Sequence, residues 1–399
     1  MLYYLKYYDV VVATLDLNRR LMEIDKPNLF TDKMDKLVIM GNDFDKWVEH
    51  RVTPGSQKGF DRLVDHLGID KNSPNLFVEL LIKTKGVNVK DRLWLTDDEF
   101  DDKSPWTNLL DEGSDLVMDI DSSQELPNDI LNLIYTQRRL SINMEGACEK
   151  TLIRLNGDLA ICKKASQHNT CDAIMEEVAY NIGVSLGMDM APAGYLGNKT
   201  CYSVIDENID LVMACDLFKK DDLDYRYCYI ELKKLKCDNK TLVSYLRMLL
   251  FDVITRQIDR NSCNFGFYKT KSNHIKMYRL YDNGLSLFSN SAMNIVKSKF
   301  QTRLGSSDEV VDFAVKQLKI LGVKKVFKKE YDSKKVYSYL NIHKEEIEDT
   351  LGVSIDCIEK WVTDRYVEIN NLMMESSGSP LVTSNEVAKS ISKILGEDK

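Results

Sequence analysis

Nowhere in the 399 residues is there an apolar run of eighteen or more, so no segment is suited to spanning a bilayer. The start of the chain lacks the charged residues, long apolar stretch and small-residue cleavage site of a secretory signal. Met1-Leu2-Tyr3-Tyr4-Leu5-Lys6 instead runs straight to Asp9-Val10-Val11-Val12. A cytoplasmic protein with no membrane partner is expected. Histidine is scarce: the five residues, at 50, 66, 168, 274 and 343, show no metal-ligand spacing. No two of the nine cysteines stand three apart, which removes zinc knuckles and thioredoxin-like pairs. Their odd number, in a chain long enough to bury a core without cross-links, points to reduced structural thiols. There is no Gly-x-Ser-x-Gly elbow either. Zinc and serine hydrolases are poor starting points. An excess of basic charge is also missing, since 54 Lys and Arg face 62 Asp and Glu for a net charge of −8. That balance disfavours a dedicated nucleic-acid binder.

What remains is ordinary globular composition, 44% hydrophobic and 29% charged, in a chain long enough for two or three domains. Residues 1–125 read as a small mixed α/β domain. It has a strand over 8–17, a short apolar run at 36–40, helices over 44–51 and 59–67, and an apolar patch at 76–82. Acidic loop-like sequence follows, with a linker near 119–127. Residues 126–218 read as a small sheet with one helix: strands at 151–155 and 159–162 flank the turn Asn156-Gly157-Asp158, and the helix runs from 172 to about 188. Strand-like 201–205 and 211–215 come next. Over 219–399 helix dominates, at 241–258, 308–321, 334–350, 354–374 and 385–395. The pattern predicts an α+β, two-lobed chain with a cleft between the lobes.

The strongest chemical signal begins at Gln257-Ile258-Asp259-Arg260-Asn261-Ser262-Cys263-Asn264, where an amphipathic helix ends. An aspartate followed five positions later by an asparagine is the catalytic-loop spacing of protein kinases. Asp259 can take a proton from a substrate hydroxyl, and the amide oxygen of Asn264 is a hard ligand suited to Mg²⁺. Eighteen residues beyond Asn264, Asp282 sits between an apolar strand and Gly284, where a kinase keeps its charged metal ligand. Upstream, the loop from Ser141 through Gly146, Ala147, Cys148, Glu149 and Lys150 leads into the hairpin and could cradle phosphates with its backbone, though it holds a single glycine. Lys163, ending the second hairpin strand, fits the lysine that grips α- and β-phosphates, with Lys164 one residue away. Helical spacing puts Glu176 on the flank of the apolar face, within reach of such a lysine, and turns Glu177 toward water.

These residues resemble the HipA-like kinases, the toxin halves of bacterial toxin–antitoxin modules. The segments Ile258-Asp259-Arg260, Asn264-Phe265-Gly266-Phe267 and Leu280-Tyr281-Asp282-Asn283-Gly284-Leu285-Ser286-Leu287-Phe288 are similar to HipA-like proteins of Firmicutes genomes and prophages. So are Trp47 to Pro54 and Arg92-Leu93-Trp94-Leu95. The resemblance implies a protein-kinase-like fold, ATP and Mg²⁺ as cofactors, transfer to a Ser or Thr hydroxyl, and a cognate antitoxin or regulatory partner. It also implies that Asp216 and Phe218 lie near the adenine and that Ser141 is a candidate for autophosphorylation. Three departures stand out: Asn261 where a histidine is common, Cys263 where some members carry lysine, and a phosphate loop two residues longer. Arg260 could replace the missing cation beside the γ-phosphate.

Lys316, Lys319, Lys324, Lys325, Lys328, Lys329, Lys334 and Lys335 form a basic stretch interleaved with Phe327 and Tyr331. It reads as a docking surface for nucleic acid or an acidic partner, or as a solvated helix face. A pseudokinase that binds nucleotide as a regulatory module competes with the enzyme reading, and a small-molecule phosphotransferase stands third.

Overall fold

Alternating burial organises the first strands. The computed structural model describes residues 2–25, 37–88, 92–105, 118–120, 125–136, 148–165, 171–207, 209–218, 220, 222–289 and 300–375. Strands β1 (Leu2–Tyr7), β2 (Val10–Asp16), β3 (Leu21–Ile24), β4 (Leu37–Met40) and β5 (Leu93–Thr96) form an antiparallel sheet in the order β4-β3-β2-β1-β5. The strand expected over 8–17 is therefore the second arm of a hairpin. Tyr8, in the left-handed region at φ 51°, makes the turn. Helices Asn42–Arg51, Phe60–His66 and Leu76–Lys83 complete this unit, and Leu5, Val12, Phe44, Val48, Leu63 and Leu80 fill its core. The apolar patch at 76–82 is helix because its length suits two turns whose inner residues, Leu80 and Leu81, pack inward.

A second sheet runs β6-β7-β8-β10-β9, from β6 (Met118–Ile120), β7 (Glu149–Leu155), β8 (Asp158–Lys164), β9 (Ala193–Gly197) and β10 (Thr200–Val204). β6 pairs in parallel with β7, so this sheet takes a strand from before residue 126. The β7–β8 turn is built as expected: Asn156 and Gly157 both have positive φ, 49° and 88°, as a two-residue hairpin turn of this hand requires. Helix Asp172–Leu186 lies against β9 and β10 and ends at Gly187, whose left-handed φ of 76° closes its last turn.

Beyond it, β11 (Val212–Met213), β12 (Gly266–Lys269) and β13 (Ile275–Met277) form a short sheet within a helical lobe. That lobe contains helices Ala214–Phe218, Tyr225–Lys234, Asn239–Ile254, Ser307–Ile320, Ser333–Ile342, Lys344–Leu351 and Ile355–Met374. The helix expected over 334–350 breaks at His343, and the one expected over 385–395 lies outside the described residues. Tyr225–Lys234 escapes a sequence reading because its tyrosines favour strands. Asp224 starts it nonetheless, by accepting the backbone N–H groups of Arg226 and Tyr227. One core joins Ile174, Met175, Val178 and Ile182 of the Asp172–Leu186 helix to Leu246, Phe251, Phe265 and Leu318 of the helical lobe. The helix that carries Glu176 is thus packed from both sides. Among the described residues no helix is long and apolar enough to cross a membrane.

Candidate active site

Between the second sheet and the helical lobe lies a cleft of about 670 Å³, within the range of small-molecule sites. Strand alternation in β8 turns Ile161 and Lys163 into it, while Cys162 is buried on the opposite face against Tyr135. Lys163 Nζ donates to Glu176 Oε2 at 3.1 Å and to Asp282 Oδ1 at 2.7 Å. Glu176, 1% exposed, uses its other oxygen to accept the Asn283 N–H at 2.9 Å. Of the adjacent lysines, Lys163 is the one brought to both carboxylates, whereas Lys164 Nζ lies 5.9 Å from the Tyr135 ring centre. Glu177 is only partly exposed. It accepts the N–H of Tyr195, on β9, at 2.6 Å and lies 3.5 Å from His343 of the helical lobe.

Charge at this centre is set by burial working against ion pairing. Burial alone would raise the Asp282 carboxyl, but the Lys163 ammonium, helped by Lys150 and Arg260, holds it well below the usual carboxylate range. Burial likewise opposes the charge on Lys163, and Asp282 with Glu176 more than offsets it, raising Lys163 well above an ordinary lysine. Asp282 has left-handed backbone, φ 56°, and its side chain is 38% exposed to the cleft. No regular strand precedes it, only a parallel bridge between Leu280 and Met190. Gly284 is required by close approach, since a Cβ there would lie 2.7 Å from the Asp172 carbonyl oxygen and 3.3 Å from Glu176 Oε2. Gly284→Ala is expected to cost about 1–3 kcal/mol and to displace Glu176, an effect that thermal unfolding with and without nucleotide would measure.

The catalytic-loop candidates converge on the same cleft. Asn264 Nδ2 donates to the Asp259 carbonyl at 2.7 Å and lies 3.3 Å from Asp259 Oδ2, which leaves the amide Oδ1 as the acceptor. Gln257, buried and passed over in the sequence, ties the two halves of the site together. Its Oε1 accepts the Asp259 N–H at 2.9 Å and its Nε2 donates to the Asp282 carbonyl at 3.1 Å. Arg260 does not line the cleft. Wholly buried, it grips both oxygens of Asp252 and donates to the Asn264 and Tyr281 carbonyls and to Asn283 Oδ1, at 2.6–3.2 Å. Among the described residues, Arg303 supplies a cation beside Asp259, its Nε lying 3.4 Å from Oδ1. It sits on a turn fixed by Thr302 Oγ1, which accepts the N–H groups of Leu304 and Gly305.

Other expected residues part company. Cys148 and Lys150 line the cleft, but alternation turns Glu149 away, into an ion pair with Arg62 and against Gly59. Ser141, Gly146 and Ala147 lie outside the described residues. Phe218 is core, with its ring edge-on to Phe267 at 5.7 Å, and does not line the cleft; Asp216 falls on the same short helix. Val204 at the end of β10, with Ile205, Ile209 and Leu211 on the connector between lobes, supplies apolar wall to the cleft. The N-terminal unit braces that connector: Tyr7 donates to Asp210, and Arg92 Nη2 to the Glu207 carbonyl at 2.9 Å. In the basic stretch, Phe327 and Tyr331 stack on Tyr366 within the protein, so they offer no platform for bases.

The donors fit Mg²⁺, which takes one or two protein oxygens and completes its shell with water and phosphate. A carboxylate held ionised and an amide oxygen supply such a pair. Among the described residues no group of three or more His, Cys, Asp or Glu forms a cage for another metal.

No family model and no curated protein matches the chain. Among solved structures, the Shewanella oneidensis MR-1 toxin–antitoxin system of HipA, HipB and operator DNA is similar to it, with TM-score 0.52 and 12% identity over 94% of this chain and 100% of that one. The Helicobacter pylori proinflammatory kinase CtkA matches at TM-score 0.42 and 16% identity, over 65% of this chain and 100% of that one. At such identities the likeness is one of fold: this chain has the two-lobed, α+β, kinase-like fold seen in HipA.

Proposed function

We propose that the protein is an ATP-dependent phosphotransferase of the HipA type that modifies a serine or threonine hydroxyl of a protein. The observation that carries this reading is the convergence of Lys163, Glu176, Asp259, Asn264 and Asp282, from four separate segments, on one cleft of nucleotide size. Bound Mg-ATP would supply the γ-phosphoryl group and neutralise its charge. Asn264 Oδ1 and the Asp282 carboxylate would hold Mg²⁺, and Lys163, oriented by Glu176, would present its ammonium to the α- and β-phosphates. Asp259 would accept the proton of the acceptor hydroxyl at its carboxylate, with Gln257 fixing the loop. Arg303 would take the place proposed in the sequence for Arg260. Cys148 and Lys150 flank the phosphate end of the cleft, and the loop holding Ser141 is where self-modification is proposed. By analogy with the complex found for HipA, a protein partner or DNA would be sought for this chain too.

Binding is the first test. Mg-ATP at about 100 times its dissociation constant should add ~2.7 kcal/mol to the transition of the lobes that bind it. Lys163→Met should reduce that gain severely and Lys164→Met leave it nearly whole. A gain lost in Lys164→Met and kept in Lys163→Met would refute the lysine assignment, and no Mg-dependent gain in the wild type would refute the nucleotide reading.

A further inference from the structure

Four of the nine cysteines, Cys162, Cys171, Cys201 and Cys228, are buried. Cys162 and Cys228 are buried and pushed up to about 12, and half-buried Cys237 to about 11, by desolvation of their thiolates. Two others are different. Cys215 and Cys263, 48 positions apart, place their Sγ atoms 3.4 Å from each other, and both are only partly buried. The backbone keeps them there. Ala214 N–H donates to the Phe265 carbonyl and Cys215 N–H to the Ser262 carbonyl, both at 3.1 Å, and Met213 pairs with Gly266 where β11 meets β12. Gly266 permits the approach, since a Cβ there would lie 2.5 Å from the Val212 carbonyl. Cys263 also lines the cleft, next in sequence to Asn264, and its carbonyl accepts the Tyr281 hydroxyl at 3.0 Å.

We propose that Cys215 and Cys263 form an oxidation site that a peroxide converts to a disulfide, pinning the connector end of the cleft to the loop that carries Asn264. The Cys263 thiolate, reached through the cleft, attacks one peroxide oxygen; the O–O bond breaks, and the sulfur becomes a sulfenic acid as water or an alcohol leaves. The Cys215 thiol attacks that sulfur, the S–S bond forms, and a second water departs carrying the hydroxyl and a proton. Both sulfurs are oxidised and the peroxide is reduced. A bond length of about 2.05 Å demands that the sulfurs close further, and the bond then ties the residue beside Asn264 to Cys215. The effect on nucleotide rests on the function proposed above; the cross-link itself does not.

The full chain would be treated with hydrogen peroxide in the absence of nucleotide, blocked with an alkylating reagent, and mapped by mass spectrometry without reduction. The expected result is a linked pair of peptides containing Cys215 and Cys263, missing two hydrogens and restored by dithiothreitol. Neither Cys215→Ser nor Cys263→Ser should yield it. Finding the two cysteines separately alkylated or separately oxidised after peroxide would overturn the proposal. The oxidised wild type should also bind the Mg-nucleotide about tenfold more weakly, recovering on reduction, as expected when a neighbour of a metal ligand is displaced. Full cross-linking with unchanged affinity, in a protein whose reduced form binds Mg-ATP, would overturn the claim that the bond acts on Asn264.

Discussion

Asp259→Asn is expected to lower phosphoryl transfer by about 10²–10⁴-fold while leaving Mg-ATP affinity close to that of the wild type. The substitution replaces a basic carboxylate with an amide that cannot take up a proton, yet an asparagine is nearly the same size and can still accept the contact from Arg303 at 3.4 Å. Asn264, which donates to the Asp259 carbonyl, keeps its anchor because that bond is to main chain. Asp282→Asn should behave differently. It deletes the charge that pairs with Lys163 at 2.7 Å and that Mg²⁺ would need, so binding and transfer should fall together. Direct nucleotide titration alongside single-turnover transfer separates the two patterns. If Asp259→Asn transfers at the wild-type rate, the loop is not the catalytic loop.

The largest effect on stability is expected from Arg260→Ala, about 3–5 kcal/mol against the helical lobe. The guanidinium is wholly buried and joins Asp252, on helix Asn239–Ile254, to the backbone at Asn264 and Tyr281 and to Asn283. Removing it leaves a buried carboxylate without its cation and strips the donor from three further oxygens. Burial already pushes the Asp252 carboxyl above its ordinary value even with Arg260 beside it, which shows how little the site tolerates that charge alone. Pairing Arg260→Ala with Asp252→Leu should recover part of the loss and no more, because the other acceptors stay unpaired. Arg260→Lys should also fall short, since an ammonium cannot reproduce the planar fork. Urea unfolding, followed on the transition of that lobe, measures all three. A change below about 1 kcal/mol for Arg260→Ala would contradict the role assigned to it.

The two-lobed α+β fold was legible from the order of strand-like and helix-like segments, and the sequence also named residues that meet in one cleft. Asp259, Asn264 and Asp282 all line it. Lys163 followed from strand alternation, and Glu176 from helical phase, each a local periodicity. Glu177 and Arg260 defeated the same logic. In the sequence Glu177 turns toward water and Arg260 toward a phosphate, yet both are satisfied by groups distant in sequence: Tyr195 and His343 for the first, Asn283 and Tyr281 for the second. Gln257 carried no signal because its value lies in bonding two backbones at once. Phe218 does not line the cleft for a related reason: a lone aromatic near the connector is as useful to the core as to a ligand, and packing against Phe267 takes it. In the N-terminal unit, β1 and β3 are short and mixed in polarity, and their register comes from pairing with β2, with β4 and β5 added at the sheet edges.

The central claim is that this cleft transfers phosphate to protein, and one measurement meets it directly. Purified protein, alone and with an extract as a source of acceptors, would be incubated with γ-labelled ATP in Mg²⁺ or in EDTA, and label on serine or threonine counted. The expected result is Mg-dependent label on protein that vanishes in Asp259→Asn, including label on the loop containing Ser141 if the enzyme modifies itself. Mg-dependent nucleotide binding with no label on any protein would contradict the claim and leave a pseudokinase that uses the same cleft only to bind.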